Sequence, residues 1–465
     1  MNHRIIFKLL STIALTIAAA FVVSFLVGWG ICQERSGTIG GWALSAGVAL
    51  GVAAIFALLG RKADRTFFRK EALATIGLGW LIASLLGALP YLTILGASPA
   101  EAFFESASGL TTTGASVFGD LESFPRSLSF WRCLSQWIGG LGVVVFFVAI
   151  LSFLGAGGKI LYSNEASAHA ADLNTARVQD GVTKIAQLYL VISLVCLLAY
   201  RLCGIGWFDA TCHMFTTVST GGFGTRSASL AAFANPALEW AAILFMALCG
   251  TSFPLLLRSF RGDARALWQN AELRVYLGLI AVVTALVALL LSSAEPGRGD
   301  VLRPAAFQVV SIITTTGFAT EDYTLWPPAG RLLLLCLMAV GGCAGSTAGG
   351  LKIARLVTAF KICSMDLERS FRSHVVRTLR INGRPLHEDE RNEVMTFLVM
   401  SGFVGLVALC AISLLEPQLS VPGTLSSVLA CLFNIGPGLA EVGPMSNYAF
   451  MTSSTKTILA VLMIM

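Results

Sequence analysis

Four short turns in this chain of 465 residues combine glycine with hydroxyl, amide or apolar neighbours: Thr112-Thr113-Gly114, Thr220-Gly221-Gly222, Thr315-Thr316-Gly317 and Asn434-Ile435-Gly436. The chemistry open to such turns is replacement of a cation's water shell. A dehydrated monovalent cation such as potassium needs oxygen dipoles around it, and stacked backbone carbonyls supply them when the chain is extended with its carbonyls turned inward. That geometry demands alternating backbone conformations. Glycine reaches positive φ without a Cβ clash, and a preceding threonine adds a hydroxyl acceptor on a stiff β-branched stem.

The glycines Gly114, Gly222, Gly317 and Gly436 are separated by 108, 95 and 119 residues. Each turn follows a semi-apolar stretch, at 99–112, 208–220, 303–315 and 423–434. These stretches are too short to cross a bilayer and suit re-entrant helices. Ser98-Pro99-Ala100-Glu101 carries an N-cap serine, a proline in the first turn and a glutamate at the third position, which together start a helix. Asp209 is expected to cap the second helix, and Pro304 and Pro422 to start the others. The C-terminal ends then face the turns, and four converging C-termini favour a cation over an anion.

The elements that position these turns must sit in lipid. More than half of the residues are apolar, 12% are charged and the mean hydropathy is +0.77, so water could not solvate the outside of such a fold. Spans are expected at about 5–31, 40–60, 72–95, 130–157, 183–203, 237–259, 275–293, 330–360, 394–415 and from 455 onward. The first is a retained transmembrane helix rather than a cleaved signal: it is longer than a signal's apolar region and leads directly into a second span. Of the 32 Lys and Arg residues, 23 fall in the N-terminal tail and in 61–70, 158–184, 258–274 and 352–391. The positive-inside rule makes these segments and the N-terminus cytoplasmic and puts the four short stretches on the outer side.

The fold class that follows is an all-α polytopic membrane protein. Two extra N-terminal helices (1–70) precede four pseudo-symmetric membrane-pore-membrane repeats around one pore: 71–180, 181–270, 271–385 with an interrupted second helix, and 386–465. The interruption is a run of ten small residues containing Gly341, Gly342, Gly345, Ser346, Thr347, Gly349 and Gly350. Glycine costs a helix interior about 1 kcal/mol relative to alanine, so the run should unwind and line a passage; close helix packing through small residues is the alternative. Lys352 and Arg355 read as cytoplasmic boundary charges. Asp120, Glu122, Glu321, Asp322 and Glu441 lie beyond the turns, against one base, Arg226. They either make the outer mouth negative or form ordinary solvated loop surface. The basic stretch with Arg369, Arg372, Arg377, Arg380, Arg384 and Arg391 enforces topology first, with a partner or anionic lipid as further possibilities.

Other chemistries find little support. The eleven cysteines include no CxxC pair and the five histidines no ligand-spaced group, which argues against disulfide scaffolds and structural zinc. No HExxH, GxSxG or phosphate-loop pattern is present, so the alternative of a membrane-embedded enzyme is weak; the lone acid Glu105 is expected to support the turns. No nucleic-acid partner and no bound cofactor are expected.

At its four turns, including Ser219 to Phe223, Phe318 and Pro437-Gly438, the chain resembles the Trk/Ktr/HKT superfamily of cation transporters over nearly its whole length. The two extra N-terminal spans make it more similar to the Trk-type (TrkH/TrkG) bacterial potassium subunits. The resemblance implies potassium as the transported ion, because serine in place of the first filter glycine accompanies sodium transport in the family and Gly114 is present here. It also implies an inner-membrane homodimer, an intramembrane gating loop at 341–350 and a cytoplasmic nucleotide-binding regulatory subunit of TrkA-like type. Whether conduction is channel-like or coupled to protons or sodium stays open. The last apolar segment, Thr457 to Met465, is too short to cross, and the arginine that the family carries in its final helix has no counterpart in it; a cut-short last span is therefore expected.

Overall fold

A computed structural model describes residues 2–61, 69–153, 175–372, 380–381 and 384–465. Residues 62–68 of the expected cytoplasmic segment 61–70, residues 154–157 at the end of the expected span 130–157, residues 158–174 of the expected loop 158–184, and Arg377 lie outside the described residues. Among the described residues the architecture is helical, apart from an antiparallel pairing of Arg380–Ile381 with Arg384–Pro385.

Two long helices open the chain, α1 (His3–Leu26, continued by a π-helical turn to Ile31) and α2 (Ser36–Leu59). At 24 residues each they are about 36 Å long, enough to cross a hydrocarbon layer of about 30 Å. Four units follow. The first is α3 (Arg69–Gly87) with α4 (Leu89–Leu95), the short α5 (Pro99–Leu110) and α6 (Arg126–Phe153). The second is α7 (Thr175–Leu202), the short α8 (Trp207–Val218), then α9 (Pro236–Cys249) and α10 (Phe253–Phe260), with a small helix α11 (Arg265–Gln269) behind them. The third is α12 (Ala271–Ala294), the short α13 (Leu302–Ile313), then α14 (Pro328–Val340) and α15 (Ile353–Phe371). The fourth is α16 (Glu388–Leu415), the short α17 (Val421–Leu432) and α18 (Ser453–Ile464).

The four short helices have 12 residues each, so each is about 18 Å long and reaches roughly half-way through a bilayer. They are also the interior of the molecule. In α13, ten residues from Pro304 to Ile313 are buried, whereas Leu44, Ile55 and Leu58 of α2 and Phe403, Leu406 and Val407 of α16 stay exposed. Apolar side chains on the outside around a Ser- and Thr-containing interior are the pattern of a protein whose solvent is lipid. Each short helix sits in its own apolar cluster: α5 with α1 to α4 and α6, α8 with α7 and α9, α13 with α12 and α14, α17 with α16 and α18. Phe104 and Ala107 of α5 also pack into the fourth cluster, and Lys456 of α18 meets Glu101 of α5 at 3.0 Å. The last unit therefore closes onto the first.

Two expected spans are broken. The one at 330–360 divides into α14 and α15 at the glycine run, as the sequence suggests. The one at 237–259 turns by 97° between α9 and α10, at Gly250-Thr251-Ser252. Gly250 faces the Tyr276 hydroxyl and the Thr314 methyl so closely that a Cβ would lie 2.5 Å and 2.9 Å from them, so the bend is packed against the third unit.

Candidate functional site

The four turns share one backbone signature. Thr112, Thr220, Thr315 and Asn434 have φ of 58°, 53°, 55° and 56°, and two residues later Gly114, Gly222, Gly317 and Gly436 have φ of 84°, 78°, 77° and 98°. Between the two left-handed positions lie Thr113, Gly221, Thr316 and Ile435. Their amides donate back to carbonyls five residues earlier, on Ser108, Thr216, Ser311 and Ala430, at 2.8–2.9 Å. Each short helix thus ends in the same wrapped turn. Ser108 and Ser311 hydroxyls, inside the helices, also donate to the Ala115 and Phe318 carbonyls at 2.6 and 2.7 Å, beyond the glycines.

The turns then form a closed ring. A Cβ placed on Gly114 would lie 2.1 Å from the Gly221 carbonyl oxygen, one on Gly222 1.8 Å from that of Thr316, one on Gly317 2.0 Å from that of Ile435, and one on Gly436 2.7 Å from that of Thr113. Every glycine abuts the middle carbonyl of the next turn, in cyclic order, at separations that real Cβ atoms essentially never show. Glycine is required at these four positions by the neighbour's backbone as well as by its own φ.

Buried polar side chains hold the ring from behind. Gln136 of α6 donates to the Gly221 carbonyl at 2.6 Å and accepts from the Phe223 amide at 3.0 Å. The Tyr448 hydroxyl donates to the Gly436 carbonyl and that of Tyr323 to Gly438, at 2.9 and 3.0 Å. Glu105 of α5 accepts from the Val117 amide and the Ser116 hydroxyl, and pairs with Arg132 of α6, which also donates to the Gly224 carbonyl and lies 4.0 Å from the Phe223 ring centre. Both members of this ion pair are essentially inaccessible, so each charge depends on the other. Asn434 donates to Thr113 Oγ1 at 2.8 Å and to the Met463 carbonyl at 3.0 Å, which links the fourth turn to the first.

The glycine-rich run lies against the innermost residues of the turns. Thr220 Oγ1 donates to Thr347 Oγ1 at 3.1 Å, the Gly349 amide donates to Thr315 Oγ1 at 2.6 Å, and the Gly350 amide donates to the Phe433 carbonyl at 3.1 Å. Gly341, Gly345 and Gly350 have φ of 78°, 74° and 80°, and a Cβ on Gly342 would meet the Gly250 carbonyl at 2.9 Å. The run is unwound, and it bonds to Thr220 of the second turn, to Thr315 of the third and to Phe433, the residue before the fourth.

A family model described as "TrkH: Cation transport protein" matches residues 58–465. The chain belongs to the TrkH family. It is 33% identical over 473 residues to the "Trk system potassium uptake protein TrkH" of Halomonas elongata, covering 100% of this chain and 95% of that one. It is 32% identical over 467 residues to the protein of the same description from Escherichia coli K12, with 99% and 95% covered. The crystal structure of the potassium transporter TrkH from Vibrio parahaemolyticus superposes with a TM-score of 0.89 at 28% identity, covering 100% of this chain and 96% of that one. Membership of a cation-transport family makes this TrkH-family chain a multi-pass membrane transporter and removes the membrane-enzyme alternative.

One expectation for this TrkH-family site needs correction, and two others are narrowed. Asp209 does not cap α8: the capping position is Gly206, and Asp209, in the first turn, accepts from Thr225 Oγ1 at 2.6 Å. Lys352 has φ of 71°, and its ammonium donates to the Ala348 carbonyl inside the glycine-rich run. The five acids beyond the turns do not line the cavity above the ring, whose charged lining residues are Arg132 and Arg226. Asp120, Glu122, Asp322 and Glu441 instead accept from nearby amides, and Glu321 pairs with Arg298. Gln136, Tyr448 and Tyr323 were not singled out from sequence; a glutamine within an apolar span was the available signal for the first.

Proposed function

We propose that this chain takes up potassium across the bacterial inner membrane, with Thr112, Thr113, Gly114, Thr220, Gly221, Gly222, Thr315, Thr316, Gly317, Asn434, Ile435 and Gly436 as one cation filter. The observation that carries this reading is the cyclic apposition of each glycine with the next turn's carbonyl, which is how four segments of one chain surround a single axis. Carbonyl oxygens so held replace an ion's hydration without reorganising. The C-terminal ends of four half-membrane helices converge on the same place, and their partial negative charges select for cations. The ion needs no resident cofactor; potassium is cargo.

The boundaries 1–70, 71–180, 181–270, 271–385 and 386–465 are the proposed repeat limits, with the N-terminus in the cytoplasm because the basic segments favour that side. Residues 341–350 form the proposed gate: they occupy the passage under the turns through bonds that a modest movement would break. The family resemblance supports a homodimer and a TrkA-like cytoplasmic nucleotide-binding subunit as the partners that move it. Conduction is proposed to be channel-like, drawing on the membrane potential at about 2.3 kcal/mol per charge per 100 mV. Radiolabelled rubidium uptake into proteoliposomes, competed by potassium or by sodium, tests the reading. Potassium-selective competition that Gly114→Ser relaxes supports it, and absence of uptake by a folded dimer under an imposed potential counts against it.

A further inference from the structure

We infer that Glu272 is the latch of the 341–350 segment, a single carboxylate that ties the start of that segment to the cytoplasmic helix α15 and so sets how firmly the passage is closed. This deepens the gating reading above and rests on it. Glu272 lies in the first turn of α12, a different element from either group it holds. Its Oε1 accepts from the Ala344 amide at 2.6 Å and from the Ala354 amide at 3.2 Å. Ala344 belongs to the unwound run, and Ala354 is the second residue of α15.

The second bond repairs a deficiency in α15. The first amides of a helix have no acceptor within the helix, and side chains such as Ser, Thr, Asn or Asp usually supply one. The residue at the capping position of α15 is Lys352, which makes no side-chain cap. Glu272 serves instead, from across the fold, and a carboxylate at a helix N-terminus is also favoured by the helix dipole. The cations that act on it electrostatically are Lys352 and Arg355. Lys352 is itself turned onto the Ala348 carbonyl of the run, so the latch draws together both sides of the segment.

The same carboxylate places the segment in mechanical series with the cytoplasmic face. From Ala354, α15 continues to Phe371. Its first turn also bears on α16 through Arg355, whose guanidinium lies 4.0 Å from the Phe397 ring centre, and further along Asp366 pairs with Arg391 at 2.7 Å. A displacement of α15 from the cytoplasmic side cannot leave Glu272 bonded to both amides unless the run moves with it. The bonds are charge-assisted, the stronger kind, and they reinforce a weaker backbone tie, the Ile353 amide donating to the Gly342 carbonyl at 3.1 Å.

Hydrogen exchange read by mass spectrometry on the chain in nanodiscs, with rubidium flux measured on the same variants, tests the inference. Glu272→Ala removes both bonds and is expected to speed exchange across residues 342–355 by about tenfold or more, the factor carried by loss of one charge-assisted hydrogen bond, while peptides covering the four turns keep the parent rate. Rubidium flux should rise with it. Glu272→Gln keeps an Oε1 acceptor without the charge, guards against misfolding of the alanine variant, and should lie between the two. Parent-like exchange over 342–355 in folded Glu272→Ala overturns the latch. Faster exchange with unchanged flux keeps the tie between the segment and α15 but overturns its part in closing the passage, and with it the gating reading on which the inference rests.

Discussion

Alanine at Gly222 should damage ion discrimination more than alanine at Gly436, and the structure sets the scale. The Cβ of Gly222→Ala would lie 1.8 Å from the Thr316 carbonyl oxygen, and that of Gly436→Ala 2.7 Å from the Thr113 carbonyl oxygen. Reaching even a tight 3.0 Å contact requires a relative shift of about 1.2 Å in the first case and about 0.3 Å in the second, and backbone rather than a flexible side chain must give way. Left-handed backbone at a residue with a Cβ adds about 1–2 kcal/mol in both variants. Overpacking adds about 1–3 kcal/mol where the shift is large, so Gly222→Ala carries at least ~2 kcal/mol of strain in the conducting geometry. If the ring relieves that strain by widening, about 2 kcal/mol of differential coordination is lost, roughly a thirtyfold loss of potassium over sodium preference. Gly114→Ala and Gly317→Ala, at 2.1 and 2.0 Å, should behave like Gly222→Ala. The assay is competition of radiolabelled rubidium uptake by potassium and sodium, on proteins matched for folding by gel filtration. Parent-like discrimination in Gly222→Ala, or a larger loss in Gly436→Ala than in the other three, would refute the reasoning.

Three further outcomes follow, two from the supports of the ring and one from an ion pair away from it. Glu105→Ala leaves Arg132 buried without its partner and should destabilise the protein by about 3–5 kcal/mol, seen as a large drop in thermal denaturation midpoint, with much of it recovered when Arg132→Met is added; a small drop for the single variant would sink the claim. Gln136→Leu strands the Gly221 carbonyl and the Phe223 amide, at about 1–3 kcal/mol each, and should raise the half-saturating rubidium concentration, whereas Gln136→Glu keeps only the acceptor and should restore part of the effect. Outside the membrane, the hydrogen bond from Arg303 holds the Asp300 carboxyl below its ordinary range, against a smaller opposing effect of burial. A depressed carboxylate stabilises the fold above its unfolded pKa and loses that contribution as pH falls through the folded value. Stability should therefore decline below the usual carboxylate range near about 4, less steeply in Asp300→Asn; identical acid profiles would remove Asp300 from the account.

The reach of sequence reading differs from residue to residue. The short helices were legible because their length and start signals are local: the Ser98 and Glu101 capping box is present with both reciprocal bonds, and Pro422 sits in the first turn of α17 behind the capping Ser420. Glycine at the second left-handed position of each turn was legible for the same reason, since positive φ is a property of one residue. The first left-handed position was not, because Thr112, Thr220, Thr315 and Asn434 carry a Cβ and nothing local announces a strained threonine; tertiary contacts from Thr347 and Gly349 surround two of them. The 97° bend after Cys249 was obscured by the apolar residues Phe253 to Leu257, although Gly250 and Pro254 are local helix-breaking signals there. Gln136, Tyr323 and Tyr448 act on carbonyls 85, 115 and 12 residues away; such pairings are set by the packing of units and are absent from any local pattern. The acids beyond the turns illustrate the converse, since their charge is plain in the sequence while their engagement by amides and Arg298 is not.

The central claim is that four turns of one chain hold one ion between them. Anomalous diffraction from crystals grown in rubidium addresses it most directly. A peak is expected on the axis enclosed by the carbonyls of Thr113, Gly221, Thr316 and Ile435, lost or displaced in Gly222→Ala. An ordered rubidium ion bound elsewhere in the membrane region, with that axis empty in the parent protein, would contradict it.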